Sequence, residues 1–245
     1  MTNPQMFSKE TFLILLFFFS GLFSFSQSIN GQTGLFFIPT AQMHSDKTLV
    51  LGAGYIPKGY FQRYGRQVNP GMPTFVSVTF LPFVEIMFRY THELNMAVNP
   101  QTKYYPDRMF AGRIRLVNES KRLPSLVIGA TDFTKAIGLS TASTNYSATY
   151  AVATKTFEYN SLTISPSLGY GFDVLDLDRY DILGFFGGVE FSHQKLATTS
   201  ICVEYDSRYT HLGISHTFFD HLTIKAGLFD LKTVAGMIAY KYSIW

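Results

Sequence analysis

The chain has 245 residues, of which 16% are aromatic and only 15% are charged. Soluble domains usually carry about a quarter charged residues, so an ordinary soluble surface is disfavoured. The formal net charge of +3 is too small to indicate nucleic-acid binding, and no block of like charges forms a tail. The single cysteine, Cys202, excludes an intramolecular disulfide.

The N-terminus has the pattern of an export signal. Lys9 precedes an apolar stretch from 11 to 25, and the serines of the tripeptide 24–26 are the small residues that a signal peptidase recognises. We therefore expect residues 1–26 to be removed from the mature protein. A retained membrane helix is the alternative, but the apolar run is short for a membrane span. No cysteine follows the run, which argues against a lipid anchor.

After residue 47 the chain repeats segments of about ten residues in which apolar side chains alternate with polar or small ones. This period of two predicts β-strands, and its length is typical of transmembrane barrel strands. The clearest segment places Leu162, Ile164 and Leu168 on one face and serine, threonine and glycine on the other. Twelve strands are predicted, at 48–56, 73–81, 84–92, 108–117, 124–132, 146–157, 161–172, 183–192, 197–205, 209–218, 222–229 and 234–244.

The connections between these strands alternate in length, as in bacterial outer-membrane barrels with short periplasmic turns and longer outer loops. The C-terminal stretch IAYKYSIW (238–245) resembles the aromatic last strand of such proteins. A soluble sandwich or lipocalin-like barrel has the same alternation, but its core would not be as polar as the second face here. The fold class predicted is all-β, a transmembrane antiparallel up-and-down barrel. The predicted parts are a signal peptide (1–26), an N-terminal periplasmic segment (27–47) and an outer-membrane barrel (48–245).

Charges within the strands test this interpretation. In PTFVSVTFLPFVEIMFRYT (73–91), Ile86 and Phe88 share one face, whereas Glu85 and Arg89 share the other. Lipid would cover the first face, and the charges would project into a polar lumen. The same alternation predicts nine lumen-lining charges along a putative solute path. They are Glu85, Arg89, Arg113, Arg115, Lys155, Glu190, Glu204, Lys225 and Lys241.

Six of these nine charges are basic, so one interpretation is a mildly cationic conduit that attracts anionic solutes or sugars. The alternative is that the charges pair with one another and close the interior. Twelve strands lie between barrels filled by side chains and barrels with open channels. The sequence leaves both possibilities open.

The predicted outer loops carry aromatic and basic residues at 59–67 and 103–108, which suit either sugar contacts or an interfacial aromatic girdle. The loop from Asp173 to Asp181 contains four aspartates, but it lacks the glycine and terminal glutamate of an EF-hand loop, so we interpret it as an ordinary acidic loop. His211, Ser215 and His216 are the nearest candidates for a hydrolase site. Ser215 and His216 are adjacent and would face opposite sides of a strand. We predict no enzyme activity, cofactor or metal.

Four stretches resemble the YjbH-like outer-membrane family, which is associated with exopolysaccharide and capsule export. They are GQTGLFFIPTA (31–41), LPFVEIMFRYTH (81–92), RIRLVNESKRLPSLVIGATDFT (113–134) and YAVATKTF (150–157). The resemblance implies a barrel in the bacterial outer membrane that assists polysaccharide secretion, and it implies no catalytic residues. Its implied partners are outer-membrane lipid or lipopolysaccharide, polysaccharide and other export proteins. We expect residues 33–39 to pack in or near the periplasmic mouth or to form an extra strand.

Two functions therefore remain open from the sequence. The first is a conduit or accessory for surface polysaccharide, and the second is a structural or adhesion barrel with a closed lumen. A small-solute porin differs from the first only in its substrate.

Overall fold

The computed structural model describes residues 27–60, 69–94, 107–134, 138, 146–175, 180–196 and 198–244. Several predictions fall wholly or largely outside these ranges. They concern the signal peptide, most of the aromatic and basic stretches 59–67 and 103–108, the middle of the acidic loop and the terminal Trp245. Within the described residues, no helix is long and apolar enough to cross a membrane.

Thirteen strand segments follow one another in the chain. They are β1 (Thr48–Tyr55), β2 (Gly71–Leu81), β3 (Val84–Glu93), β4 (Asp107–Val117), β5 (Ser125–Thr131), β6 (Ala148–Thr154), β7 (Phe157–Tyr159), β8 (Leu162–Phe172), β9 (Gly184–His193), β10 (Thr199–Tyr205), β11 (Thr210–Phe218), β12 (Leu222–Phe229) and β13 (Thr233–Ser243). The helical structure in the described ranges is one 3₁₀ turn, Gln194–Leu196.

The segments form one closed antiparallel barrel. Successive segments pair with one another except β6 and β7, β1 pairs with β13, and β6 pairs with β8 as well as with β5. β6 and β7 are one strand with an interruption, because both pair with β8 in the same register. The interruption lies opposite Pro166, which has no N–H to donate to the ladder. The predicted barrel of twelve strands is therefore confirmed.

The two ends of the barrel differ in their connections. One end, called here the short-turn end, carries the connections 82–83, 118–124, 160–161, 194–198 and 219–221. The opposite, long-loop end carries 56–70, 94–106, 132–147 and 173–183, together with the shorter 206–209 and 230–232. β1 begins and β13 ends at the short-turn end, since Thr48 pairs with Ser243.

The two faces of the sheet have opposite character. Outward side chains are large and apolar, and Leu51, Ile86, Phe110 and Ile214 are about half exposed. Inward side chains alternate with them and include buried serine, threonine and charged residues. Strand periodicity produces this separation, because successive side chains point to opposite faces.

The N-terminal segment lies inside the barrel, and we call residues 27–44 the plug. Its apolar side chains, which include Ile29, Phe36 and Ile38, are fully buried. A tight hairpin forms its centre, where the amide of Leu35 donates to the carbonyl of Ile38 at 3.0 Å. This placement corrects two expectations, that residues 27–47 form a periplasmic segment and that residues 33–39 lie at the mouth or add a strand. The reason is that the lumen offers the hairpin both apolar contacts and charged partners.

Candidate functional site

The junction between the plug and the barrel wall contains most of the buried charge in the described structure. Glu204 on β10 lies beneath the plug hairpin, and its carboxylate accepts hydrogen bonds from the amides of Phe36 at 3.0 Å and Phe37 at 2.6 Å. The amide of Ile38 adds a longer contact of 3.4 Å. Glu204 therefore satisfies the amides of the hairpin, which would otherwise be buried without partners.

Lys225 on β12 binds the carbonyl groups of the same hairpin. Its ammonium donates to the carbonyl of Leu35 at 2.6 Å and to that of Gly34 at 3.4 Å. Glu204 and Lys225 are both almost fully buried. One acidic and one basic wall residue thus hold a hairpin through its backbone, so this contact depends on the hairpin's shape more than on its side chains.

On the other side of the lumen, Glu85 and Arg113 bind the parts of the plug that flank the hairpin. Glu85 accepts from the backbone amide of Thr33 at 3.0 Å and from its hydroxyl at 2.5 Å. Arg113 donates to the carbonyls of Thr33 at 2.8 Å, Thr40 at 2.9 Å and Gln42. The Nε atom of Arg113 lies 3.3 Å from Glu85. The planar guanidinium suits this task because its donors point in several fixed directions.

Arg89 also contacts the plug rather than open solvent. It donates to the side-chain oxygen of Asn30 at 2.6 Å, and its guanidinium lies 3.9 Å from the ring centroid of Tyr146. The Arg89 side chain is fully buried, and the cation–π contact and the hydrogen bond compensate its charge there.

Inward-facing glycines make room for the plug. A Cβ atom added at Gly213 would lie 2.9 Å from Phe36, and one added at Gly188 would lie 2.7 Å from Leu35. Gly227, which pairs with Gly213 across β11 and β12, leaves space for the same phenylalanine. The missing side chains at these glycines therefore leave the space that Leu35 and Phe36 of the plug occupy.

Aromatic rings cover the plug at the long-loop end. The ring of Phe37 packs 5.2 Å from Phe229 and 5.5 Å from His211, and Tyr60 packs 5.4 Å from Phe229. His211 accepts from the amide of Asp230 at Nδ1, so its Nε2 carries the proton that is donated to Asp206 at 2.9 Å. Both ring nitrogens of His211 are thus hydrogen-bonded to residues of the long-loop end.

The hydrolase candidates do not form a triad in the structure. Ser215 shares a hydrogen bond of 2.8 Å with Ser200, and His216 shares one of 2.7 Å with Thr199. Among the described residues no group of three potential metal ligands is present. The absence of catalysis remains a prediction.

Two titratable groups outside the strands have strongly shifted pKa values, namely His44 and Asp181. Burial lowers the pKa of His44 to about 3, and the nearby charges of Lys241 and Arg113 act in the same direction. His44 is therefore neutral, and its Nε2 hydrogen-bonds to Gln27 at 2.9 Å. Burial and the neighbouring Asp206 raise the pKa of Asp181, in the loop before β9, to about 6.

Below the plug, at the short-turn end, a cavity of about 290 Å³ remains. Ala41 and Gln42 of the plug close its inner end, and its walls carry many hydroxyl groups. Charged residues also line it, namely Arg115, Glu119, Glu158 and Glu190.

Of the nine predicted lumen-lining residues, five meet the plug or its buried surroundings, namely Glu85, Arg89, Arg113, Glu204 and Lys225. Arg115 and Glu190 line the cavity, and Lys241 lies half-buried on the inward face of β13. The structure corrects the predicted inward placement of Lys155. The inward residues of its strand are Tyr150, Val152 and Thr154, so Lys155 follows the outward alternation.

The alternation rule predicts Lys155 inward because it assumes that bulky apolar residues face lipid in every strand. In β6 they face the lumen instead, where Tyr150 and Val152 are buried and the Tyr150 hydroxyl donates to Gln32 of the plug at 3.1 Å. Lys155 turns to the short-turn end, where its ammonium lies 3.2 Å from Glu119 and donates to the carbonyl of Ser120.

Sequence reasoning found the wall charges but missed their partners in the plug. Thr33 and the amides of Phe36 and Phe37 are functional groups of this junction. The paired Gly213 and Gly227 were the available signal, because inward glycines on neighbouring strands indicate a close approach by another segment.

The fold and this junction define a class of protein, a closed twelve-stranded β-barrel whose own N-terminal segment occupies the lumen. The chain belongs to the YjbH family, since the family model described as "Exopolysaccharide biosynthesis protein YbjH" matches residues 26–177. The resemblance inferred from the four sequence stretches is therefore confirmed.

No curated protein matches the sequence significantly. Among solved structures, a "KdgM porin" is similar to this chain with a TM-score of 0.46 and 9% sequence identity. The alignment covers 81% of this chain and 99% of the porin.

Proposed function

We propose that this protein is exported to the bacterial outer membrane and assists exopolysaccharide secretion as a barrel that is closed in its resting state. The apolar outward face, the even number of strands and the separation of short turns from long loops support a membrane barrel. In that arrangement the short-turn end faces the periplasm. The description of its family supports the link to exopolysaccharide.

The single observation that carries the closed state is the occupation of the lumen by the plug. Its backbone is held from opposite sides, by Glu204 and Lys225 on one side and by Glu85 and Arg113 on the other. The remaining cavity ends at Ala41 and Gln42. A mildly cationic open conduit would need the basic side chains to face water, but Arg113 and Lys225 bind plug carbonyls instead.

This arrangement favours an accessory role over a small-solute porin. A porin needs a continuous aqueous path, whereas the plug here makes hydrophobic and charged contacts along the lumen. Transport of a polymer through this barrel would require the plug to leave. The protein would otherwise serve secretion by binding polymer or other export proteins at its ends.

Two measurements test the proposal. In planar bilayers, the purified mature protein is expected to give no steady current, whereas deletion of residues 27–44 should produce one if the barrel still forms. In cells, removal of the gene should reduce extracellular polysaccharide, and the intact gene should restore it. A steady current from the intact protein would overturn the closed state. Unchanged polysaccharide in the deletion strain would overturn the role in secretion.

A further inference from the structure

We infer that the cavity at the short-turn end binds a short saccharide segment that is neutral or carries an amino group, and that it rejects acidic sugars. This inference deepens the proposed function and rests on it for the biological source of the saccharide. The binding chemistry itself rests on the cavity.

The walls of the cavity match the hydrogen-bonding chemistry of a sugar. A hydroxyl both donates and accepts, so a wall of serine and threonine side chains can pair with sugar hydroxyls in several orientations. Ser200 belongs to this wall, where it donates to Glu190 at 2.6 Å and shares a hydrogen bond of 2.8 Å with Ser215. These contacts fix the Glu190 carboxylate at the cavity surface.

The cavity has one accessible end. Its rim includes Glu158 and Thr198, which are exposed, whereas Ala41 at its inner end is fully buried. Its volume of about 290 Å³ is close to the lower limit, about 300 Å³, of small-molecule sites. It therefore suits a chain end or a short segment, and not a polymer that passes through the barrel.

The accessible charge of the cavity is acidic, although most of the predicted lumen charges are basic. Arg115 keeps its positive charge while it donates to the carbonyl of Pro82, and the charge of Glu119 is balanced by Lys155. Glu190 is held by a serine hydroxyl, and Glu158 forms no ion pair with any other described residue, so the lining has two carboxylates against one guanidinium. These two carboxylates would attract an ammonium group and repel a uronate.

Calorimetric titration of the full mature protein in a non-ionic detergent tests this specificity. Three tetrasaccharides serve as probes, namely a glucosamine oligomer, a neutral glucose oligomer and a galacturonate oligomer. We expect the glucosamine oligomer to bind most tightly and the galacturonate oligomer not to bind. Non-specific attraction would give the reverse order, because the formal net charge of the chain is +3.

Variants then locate the site. Glu190→Gln keeps an acceptor for Ser200 but removes the charge. It should therefore lower the affinity for the glucosamine oligomer about tenfold and change the affinity for the neutral oligomer little. Glu93→Gln is the matched control, because Glu93 lies on β3 at the long-loop end, where its carboxylate accepts from Asn69 at 2.6 Å. Equal weakening by both variants would overturn the assignment of the site.

Two further outcomes would overturn the inference, namely galacturonate binding as tight as that of the other probes and no binding of any probe. Either result is distinct from a failure of the proposed function, which is measured as polysaccharide release by the deletion strain. Normal release together with selective binding would remove the role in secretion and leave the saccharide site in place.

Discussion

The Glu204 carboxylate and the amide of Phe37 form a hydrogen bond of 2.6 Å between residues that are 167 positions apart in the chain. The bond joins the barrel wall to the tip of the plug hairpin. The same carboxylate also accepts from the amide of Phe36. A hydrogen bond to a charged group contributes about 1.5–3 kcal/mol, so this residue is a main attachment of the plug.

Replacement of Glu204 by alanine is expected to release the hairpin and expose Cys202. This cysteine is buried on the inward face of β10, and an added Cβ at Gly213 would touch both Cys202 and Phe36. It is the only cysteine in the chain, so its labelling by a water-soluble maleimide reports the position of the plug. Labelling should be slow in the native protein and much faster in E204A.

The Glu93→Ala variant is the matched control for this experiment, because Glu93 is an inward glutamate at the long-loop end whose carboxylate accepts from Asn69 at 2.6 Å. Its Cys202 should remain protected. If Cys202 also stays protected in a folded E204A barrel, then Glu204 does not hold the plug in place.

A second prediction concerns the shape of Arg113. Its guanidinium donates to three plug carbonyls while its Nε atom lies 3.3 Å from Glu85. Lysine keeps the charge but cannot direct donors to all of these groups. Arg113→Lys should therefore lower the free energy of unfolding by about 2–4 kcal/mol, as expected when a buried charged network loses hydrogen bonds.

Urea unfolding in detergent, followed by the shift in gel mobility of folded barrels, measures this effect. Lys241→Arg provides the control, since that basic residue is half-buried near the end of β13. An Arg113→Lys variant as stable as the native protein would show that the positive charge alone holds the plug, and that the several N–H donors of the guanidinium are not needed.

Much of the barrel could be predicted from the sequence because strand periodicity and loop lengths are local properties. Alternation placed Ile86 outward and Glu85 inward, and both placements agree with the structure. The plug could not be predicted in this way, since GLFFIP has no strand period. Its position depends on partners such as Glu204, which are distant in the chain.

The same limitation explains the incorrect placement of Lys155. The rule that apolar residues face outward fails where the plug fills the lumen, because Tyr150 and Val152 are buried on the inward face of β6. The choice between an open cationic lumen and a closed one could not be made from the sequence for a related reason. The strand period gives the number of charged residues that face the lumen. It does not show which of them are exposed to solvent, because residues such as Lys225 bind the plug.

A third prediction uses the space left by Gly213. A Cβ atom at this position would lie 2.9 Å from the Cβ of Phe36 and 2.9 Å from the sulfur of Cys202. Gly213→Ala should therefore push Phe36 away and destabilise the barrel by about 1–3 kcal/mol, the usual cost of overpacking. The thermal midpoint of the change in gel mobility should fall, and Cys202 labelling should become faster.

Gly112→Ala is the matched control, because an added Cβ there meets nothing within 4 Å. It should leave both the midpoint and the labelling rate unchanged. Equal effects of the two substitutions would indicate a backbone requirement for glycine in the strands and would contradict a specific niche for Phe36.

A fourth prediction concerns Asp181 and the pH dependence of the long-loop end. Burial, followed by the effect of Asp206, raises the pKa of Asp181 from its ordinary value of 3.8 to about 6. Between these two values the folded state binds a proton that the unfolded state does not. The contribution of Asp181 to stability should therefore be most favourable below about pH 4, decrease as the pH rises towards 6 and remain lower above it.

Asp181→Asn mimics the protonated carboxyl, so it should remove this dependence and stabilise the protein at pH 7 by up to about 3 kcal/mol. Urea unfolding at pH 5 and pH 7 measures the difference, and hydrogen exchange of the Asp181 amide, which donates to Ser147 at 2.7 Å, reports the local effect. Asp173→Asn, an exposed substitution in the same loop, should change neither measurement. A native protein that is more stable at pH 7 than at pH 5, with Asp181→Asn reducing that gain, would mean that Asp181 is held as a carboxylate by its neighbours Arg89 and Arg208.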